Sequence, residues 1–343
     1  GFDVERPICN WPESPAVVVR VDSGRAGKVM QFDGHLDTVH LPFVPPREEG
    51  GNLHGSGAAD MKGGLACCVE AIRVLRDLDC LPSGGVMLTA HDHHEGPWGD
   101  RRQVVALIKE GYTGDAVLFP EYLSTHLPIA GRGMAILEIT VSRDGDPVHE
   151  VLRADGLPDV LGAGVELARR LKQLGAEVEK RTHPHSGHDS LFLGTINCGE
   201  IYNQAATECY LKGTRRWVEP GAGAMAKAEI DEILREVGAT TETNIEVDFG
   251  TRGDAFQVDA EDPFIQAFQD AHRSICGNTL PLAGKPFVDD GNTYSEFAGI
   301  PVLTHGPAST GAHTVHESVP VSELVRAANV FALTAVGFCQ PIG

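Results

Sequence analysis

The stretch "GGVMLTAHDHHEGPWGDRRQVVALIKEGYTGDAVLFPE", residues 84–121, decides the fold. It opens on an apolar run, GGVMLTA, that reads as a strand, and passes through a turn made by Gly96, Pro97 and Gly99. It continues as RRQVVALIKEG, with helical spacing, and closes on a second strand-like run, DAVLFPE. Strand, helix, strand in this order predicts a parallel sheet covered by helices. Upstream, AVVVRVD and KVMQFDGHLDTV read as strands. GLACCVEAIRVLRDL reads as a helix, with Leu65, Val69, Ile72 and Leu75 on one face.

The style changes at MAILEITVSR, near residue 134. A helix (LPDVLGAGVELARRLKQLG), two strand-like segments (SLFLGTINCGEIYN and ATECYLKGTRRWV), a second helix (GAMAKAEIDEILREVG) and a strand (TNIEVDFG) follow. That is an α+β sandwich pattern. The β-α style then resumes with PFIQAFQDAHRSIC, IPVLTHGP and VSELVRAANVFALTAVGF. The expected organisation is a discontinuous α/β domain, residues 1–132 and 253–343, with a smaller domain, 133–252, inserted into it.

The 343 residues suffice for two domains, since one commonly takes roughly 100–200. The formal net charge of -20 disfavours nucleic acid and anionic membranes as partners. No run is expected to reach the roughly 18 apolar residues that span a bilayer. The eight cysteines form no C-x-x-C pair, so reduced thiols and a cytoplasmic location are expected.

Several short segments carry metal-binding side chains. In FDGHLDTV, His35 and Asp37 face the same way on a strand. Asp37 is thus placed to take the other N–H of a metal-bound His35. In GSGAADMKGG, Asp60 opens a helix, where the dipole favours a carboxylate; capping and metal binding are both open. A phosphate loop is not expected, because Asp60 sits where N–H groups would be needed and Lys62 is not followed by Ser or Thr. LFPEYLS ends a strand on Glu121, and GAHTVHESV offers His313, His316 and Glu317. HDHHEG adds His93, His94 and Glu95. Singly, each has an ordinary structural explanation. Together, four loops leave the carboxyl ends of predicted parallel strands, where open α/β sheets bind ligands. Imidazole and carboxylate donors suit zinc, manganese or cobalt.

In order, GHLDTV, GSGAADMKGG, DHHEGPWG, FPE, GIPVLTHGP and AHTVHESV resemble the motifs of the co-catalytic metallohydrolases. That family includes aminoacylase, acetylornithine deacetylase, succinyl-diaminopimelate desuccinylase and the glutamate carboxypeptidases. The resemblance covers nearly the whole chain. It implies a phosphorylase/hydrolase-like catalytic domain with an inserted lid used for dimerisation. It also implies that the chain begins inside the family's first domain. One or two divalent metal ions are implied. His35 and Glu121 would bind one, His313 the other, and Asp60 would bridge them, with Asp37 orienting His35. In the lid, SRDGDPVHE suggests that His149 reaches a partner subunit's site, and Asn203 and Arg216 (with Arg215 as its neighbour) would bind substrate.

The family carries Asp-Glu-Glu-x-Gly-x-x-Gly where this chain has Asp92-His93-His94-Glu95-Gly96-Pro97-Trp98-Gly99. Aligned on Asp92 and both glycines, the base position becomes His93 and the ligand position His94. Aligned on the Glu-Gly pair, His94 takes the base position and Glu95 the ligand position. The first register keeps three fixed points and is preferred; Glu95 stays a catalytic candidate. Losing one carboxylate in this way would weaken the second metal. Either way the usual carboxylate base is replaced by imidazole, which serves as a base near neutral pH.

The expected function is metal-dependent hydrolysis of a C–N bond in a small, carboxylate-bearing substrate. Two alternatives are hydrolytic deamination of an activated aromatic amine such as a nitroanthranilate, and a non-catalytic metal-binding module. The resemblance implies a homodimer or higher homo-oligomer.

Overall fold

A computed structural model describes residues 1–96 and 99–341; Pro97 and Trp98 of the HDHHEGPWG turn lie outside the described residues. The chain divides into two compact units. One comprises Gly1–Ala130, Gln257–Lys285 and Asp289–Gly343, and the other Gly131–Phe256 with Pro286–Val288.

The first unit is built on a six-stranded sheet. Its order is Val4–Glu5, Val17–Asp22, Gly85–His91, Val29–His35, Ala116–Phe119 and Val302–Thr304. Val29–His35 runs parallel to both of its neighbours, and Val302–Thr304 runs parallel to Ala116–Phe119. Val17–Asp22 and Val4–Glu5 add an antiparallel edge. The fold class is therefore the expected α/β one, with a mainly parallel sheet flanked by helices. Every residue of Gly85–His91 and of Ala116–Phe119 is buried, as expected for strands covered on both faces.

The Lys62–Asp77 helix packs on Val321–Phe338, which packs on Pro263–Cys276, while Arg102–Lys109 packs on Asp290–Ala298. One expectation needs correction. By length and composition Val321–Phe338 is apolar enough to cross a bilayer. Here it is a core helix, burying Ala327, Val330, Phe331, Ala335 and Phe338.

Chain reversals set the site. From Val29–His35 the chain crosses to one side, into Gly85–His91, and then back past it to Ala116–Phe119. The order switches around Val29–His35, and ligands bind outside the carboxyl ends at such a point. The register places His35 opposite His91, so the HLD and HDHHEG segments leave the sheet side by side. Gly64 allows the next helix to start against the end of a third strand. A Cβ there would lie 1.8 Å from the Pro120 carbonyl oxygen, so any side chain would push the helix away from Glu121.

The second unit is a four-stranded antiparallel sheet, in the order Ser190–Cys198, Glu208–Trp217, Gly133–Ser142, Asn244–Gly253. The central strand alternates buried and partly exposed residues. Its inner side chains, Leu137, Ile139 and Val141, meet Leu167 and Leu171 of the Val160–Val178 helix and Ile230 and Leu234 of the Gly223–Thr241 helix.

Candidate active site

Four loops at the carboxyl edge of the first unit's sheet converge. Asp60 lies at the centre, its Oδ1 3.2 Å from His35 Nε2 and its Oδ2 3.0 Å from His313 Nε2. Glu121 Oε1 is 3.8 Å from His35 Nε2, and Glu95 Oε2 is 3.6 Å from His313 Nε2. His35, Asp60, Glu95 and Glu121 are buried, while His313 is exposed.

The backbone explains how these side chains are held. Asp37 stands behind His35: its Oδ1 is 3.4 Å and its carbonyl oxygen 3.1 Å from His35 Nδ1. That makes Nδ1 the donor and leaves Nε2 facing Asp60. The other Asp37 oxygen accepts the backbone N–H groups of His94 (3.1 Å) and Glu95 (2.8 Å), so one carboxylate ties two of the loops together. The glycine-rich loop before Asp60 does bind an anion, but the anion is the protein's own. Glu317 Oε2 accepts the N–H groups of Gly57, Ala59 and Asp60 at 3.0–3.2 Å. This fixes the Asp60 loop to the one carrying His313. Gly99 closes the HDHHEG turn, since a Cβ there would lie 1.9 Å from the His94 carbonyl oxygen.

The electrostatics are those of a site made for cations. Burial, reinforced by the Asp60 charge, pushes the Glu95 carboxyl above its ordinary value and the Glu121 carboxyl well above it. Burial would also raise Asp60, but hydrogen bonds from His313 and His35 hold it well below the usual carboxylate range. Asp37 behaves alike: burial raises it, and His35 with the Glu95 N–H brings it down to about 2. His35 is lowered by burial, but its bonds to Asp37 and Asp60 outweigh this and raise it well above its ordinary value. Glu95 Oε1 and Glu121 Oε2 are buried without a hydrogen-bond partner. Buried, unpartnered carboxylate oxygens cost free energy unless a cation or donor meets them. With the imidazoles, they fit divalent transition metal ions. His35, Asp60 and Glu95 offer donor atoms all within 4.8 Å of one another, as do His35, His94 and Glu121.

The three residues of the HDHHEG turn separate. His93, in the left-handed region (φ 70), packs its ring edge-on against Trp11, with centroids 4.1 Å apart. It is not among the converging groups. His94 lies flat on His35, with centroids 4.2 Å apart and planes within 4°. An imidazole lone pair lies in the ring plane, so two parallel stacked rings cannot aim at one ion. Glu95, not His94, stands beside Asp60 and His313. The register preferred from sequence, with His93 as base and His94 as the second ion's ligand, does not match this geometry. That register counted glycines; the turn instead sends Glu95 inward.

Sequence reading left Asp290 and Asp33 unremarked. Asp290 Oδ2 is 2.6 Å from His94 Nδ1 and 3.3 Å from His91 Nε2, which is itself 3.2 Å from Asp33 Oδ2. The Asp-Asp-Gly run at 289–291 was the available signal: Asp289 caps the Asp290–Ala298 helix, and its neighbour turns towards His94.

In the second unit, Asn203 Nδ2 is 3.1 Å from His149 Nε2, so two of the residues picked from sequence meet. Arg216 is half-buried, and burial and the nearby Arg132 cation lower its pKa. Arg215 is fully buried, bound to Asp189 at 3.0 Å and Glu229 at 3.2 Å, which makes it a structural cation of that unit's core.

A model of peptidase family M20/M25/M40 matches residues 32–336. The chain belongs to this family. The resemblance carried by GHLDTV, GSGAADMKGG and AHTVHESV is thereby borne out. Among curated M20/M25/M40 relatives, it is 27% identical to a succinyl-diaminopimelate desuccinylase of Alkalilimnicola ehrlichii, covering 96% of this chain and 88% of the relative. It is 24% identical to N-formyl-4-amino-5-aminomethyl-2-methylpyrimidine deformylase of Halalkalibacterium halodurans, covering 92% and 81%. Aminopeptidase PepT from Bacillus cereus superposes with a TM-score of 0.80 at 17% identity, over 98% of this chain and 89% of that one. The Bacillus subtilis protein YXEP, described as a dinuclear metal binding peptidase of the M20 family, gives 0.68 at 16%, over 97% and 87%. As a family member, the chain is a hydrolase of C–N bonds, which sets aside the non-catalytic alternative.

Proposed function

We propose that this enzyme removes an acyl group from the nitrogen of a small carboxylate-bearing substrate, using two divalent metal ions. His35, Asp60 and Glu121 would hold one ion, and His313, Asp60 and Glu95 the other. The observation that carries this reading is Asp60 placed between His35 and His313, with buried, unpartnered oxygens on the two flanking glutamates. When bound, the ions supply a Lewis acid and lower the pKa of water. Two curated relatives are named for removing formyl and succinyl groups, which favours an N-acyl substrate. Nothing in the site favours aromatic deamination over amide hydrolysis.

In this reading His94 occupies the base position. Its Nε2 takes a proton from water as the water oxygen bonds to the acyl carbon. The same proton then passes to the nitrogen as the C–N bond breaks, so one water is consumed and an acid and an amine leave. In the second unit, Arg216 would meet the substrate carboxylate; His149, paired with Asn203, would reach a partner subunit's site, and that unit would carry a dimer contact.

The test pairs metal analysis with hydrolysis of a panel of N-acetyl, N-formyl and N-succinyl amino acids. Metal-loaded protein should hydrolyse a member of the panel, and chelation should abolish this. Full activity after complete metal removal would contradict the reading.

A further inference from the structure

We propose that Asp290 is the positioning residue of this enzyme's base: it fixes the tautomer and direction of His94. The proposal rests on His94 occupying the base position. A glutamate base has two equivalent oxygens and needs no choice of tautomer. An imidazole has one acceptor nitrogen, and it works only if that nitrogen faces the water. Replacing glutamate by His94 therefore creates a requirement that another residue must meet.

Asp290 meets it geometrically. Its Oδ2 lies 2.6 Å from His94 Nδ1. A carboxylate accepts and cannot donate, so the His94 proton sits on Nδ1 and the lone pair on Nε2. The ring is also held from one face by its stack on His35. Asp290 is 6% exposed and opens the Asp290–Ala298 helix, whose N-terminus favours a carboxylate. The same Oδ2 is 3.3 Å from His91 Nε2, and His91 is held by Asp33 at 3.2 Å. Asp33 in turn accepts the Tyr294 hydroxyl at 3.2 Å and the Thr89 hydroxyl, and Gln31 donates to both of those hydroxyls at 2.7–2.8 Å. The row Asp33, His91, Asp290, His94 thus runs from the buried sheet to the site, and only its last member reaches it.

The test uses zinc-loaded protein with selectively ¹⁵N-labelled histidine. The His94 signal is identified by its loss in His94→Gln. In the wild type its nitrogen shifts should show the proton on Nδ1. Asp290→Asn, whose amide can donate instead, should move the proton to Nε2. It should also lower kcat roughly 100- to 10,000-fold, with KM and zinc content within about threefold of wild type. His94→Ala should be similarly impaired, and the Asp290→Asn/His94→Ala double variant no worse than His94→Ala. A wild-type signal with the proton on Nε2 overturns the proposal without any variant, should Asp290→Asn fail to fold. So does an Asp290→Asn enzyme with normal kcat beside an inactive His94→Ala, or one that has lost its zinc. A wild type that hydrolyses no N-acyl amino acid contradicts the amide-hydrolase reading instead, and the nitrogen spectrum still decides the role of Asp290.

Discussion

Replacing Glu95 by Gln separates the two ways of aligning the HDHHEG turn. With Glu95 as a ligand, three carboxylates (Asp60, Glu95 and Glu121) face two divalent ions, leaving a formal charge of about +1 by the charge count for such sites. Glu95→Gln raises this by one unit without changing the side chain's shape. Glu95 lies 3.6 Å from His313 and is 7% exposed, so its charge is poorly screened. Unit charges about 4 Å apart interact by about 4 kcal/mol at an effective dielectric near 20. If desolvation offsets half of that, about 2 kcal/mol of affinity is lost, roughly a 30-fold rise in Kd for the second ion. His93→Ala removes only the edge contact with Trp11, worth about 1 kcal/mol of stability, and should leave both affinities unchanged. Zinc titration by calorimetry on the three proteins reads this directly. A Glu95→Gln protein that keeps two ions as tightly as the wild type would refute the reasoning.

Asp60→Ala should remove metal and activity together, since one carboxylate serves both imidazoles; elemental analysis and the N-acyl panel check it. Gly64→Ala should destabilise by about 3 kcal/mol or more, because a Cβ at 1.8 Å from a backbone oxygen forces overpacking; thermal unfolding measures it. For Asp37, held at about 2 against an ordinary value of 3.8, the folded state favours the charged form. Its contribution, roughly 2 kcal/mol, is present above pH 4 and lost as pH falls towards 2. Asp37→Asn should flatten that limb of an acid-unfolding curve. A dimer through the second unit is expected, and sedimentation velocity on the holoenzyme should show it; a monomer at every concentration would exclude it.

Much of the fold was legible because its signals are local. The apolar runs at 86–90 and 116–119 are buried strands, and the helical spacing at 65–75 marks a helix that buries Leu65, Ile72 and Leu75. His35, Asp60 and Glu121 stand out because each ends a strand or opens a helix at the sheet's carboxyl edge, whereas His313, with His316 and Glu317 in one loop, is singled out by the resemblance of AHTVHESV. The roles within HDHHEG were not legible. They depend on a left-handed His93 and on Asp37 holding the next two N–H groups, which no spacing reveals. Asp290 was hidden for a similar reason: it contacts His94 from 196 residues away and looks locally like an ordinary helix start. Glu317 offers a carboxylate in the same loop as His313, yet its partners are the N–H groups of the Asp60 loop.

Crystals of zinc-loaded protein, with anomalous differences collected at the zinc edge, give the most direct test of the two-ion site. Two peaks should appear, one bonded to His35 and Glu121, the other to His313 and Glu95, with Asp60 touching both and His94 Nε2 bonded to neither. A peak bonded to His93 or His94, or Glu95 turned away from both ions, would contradict the account.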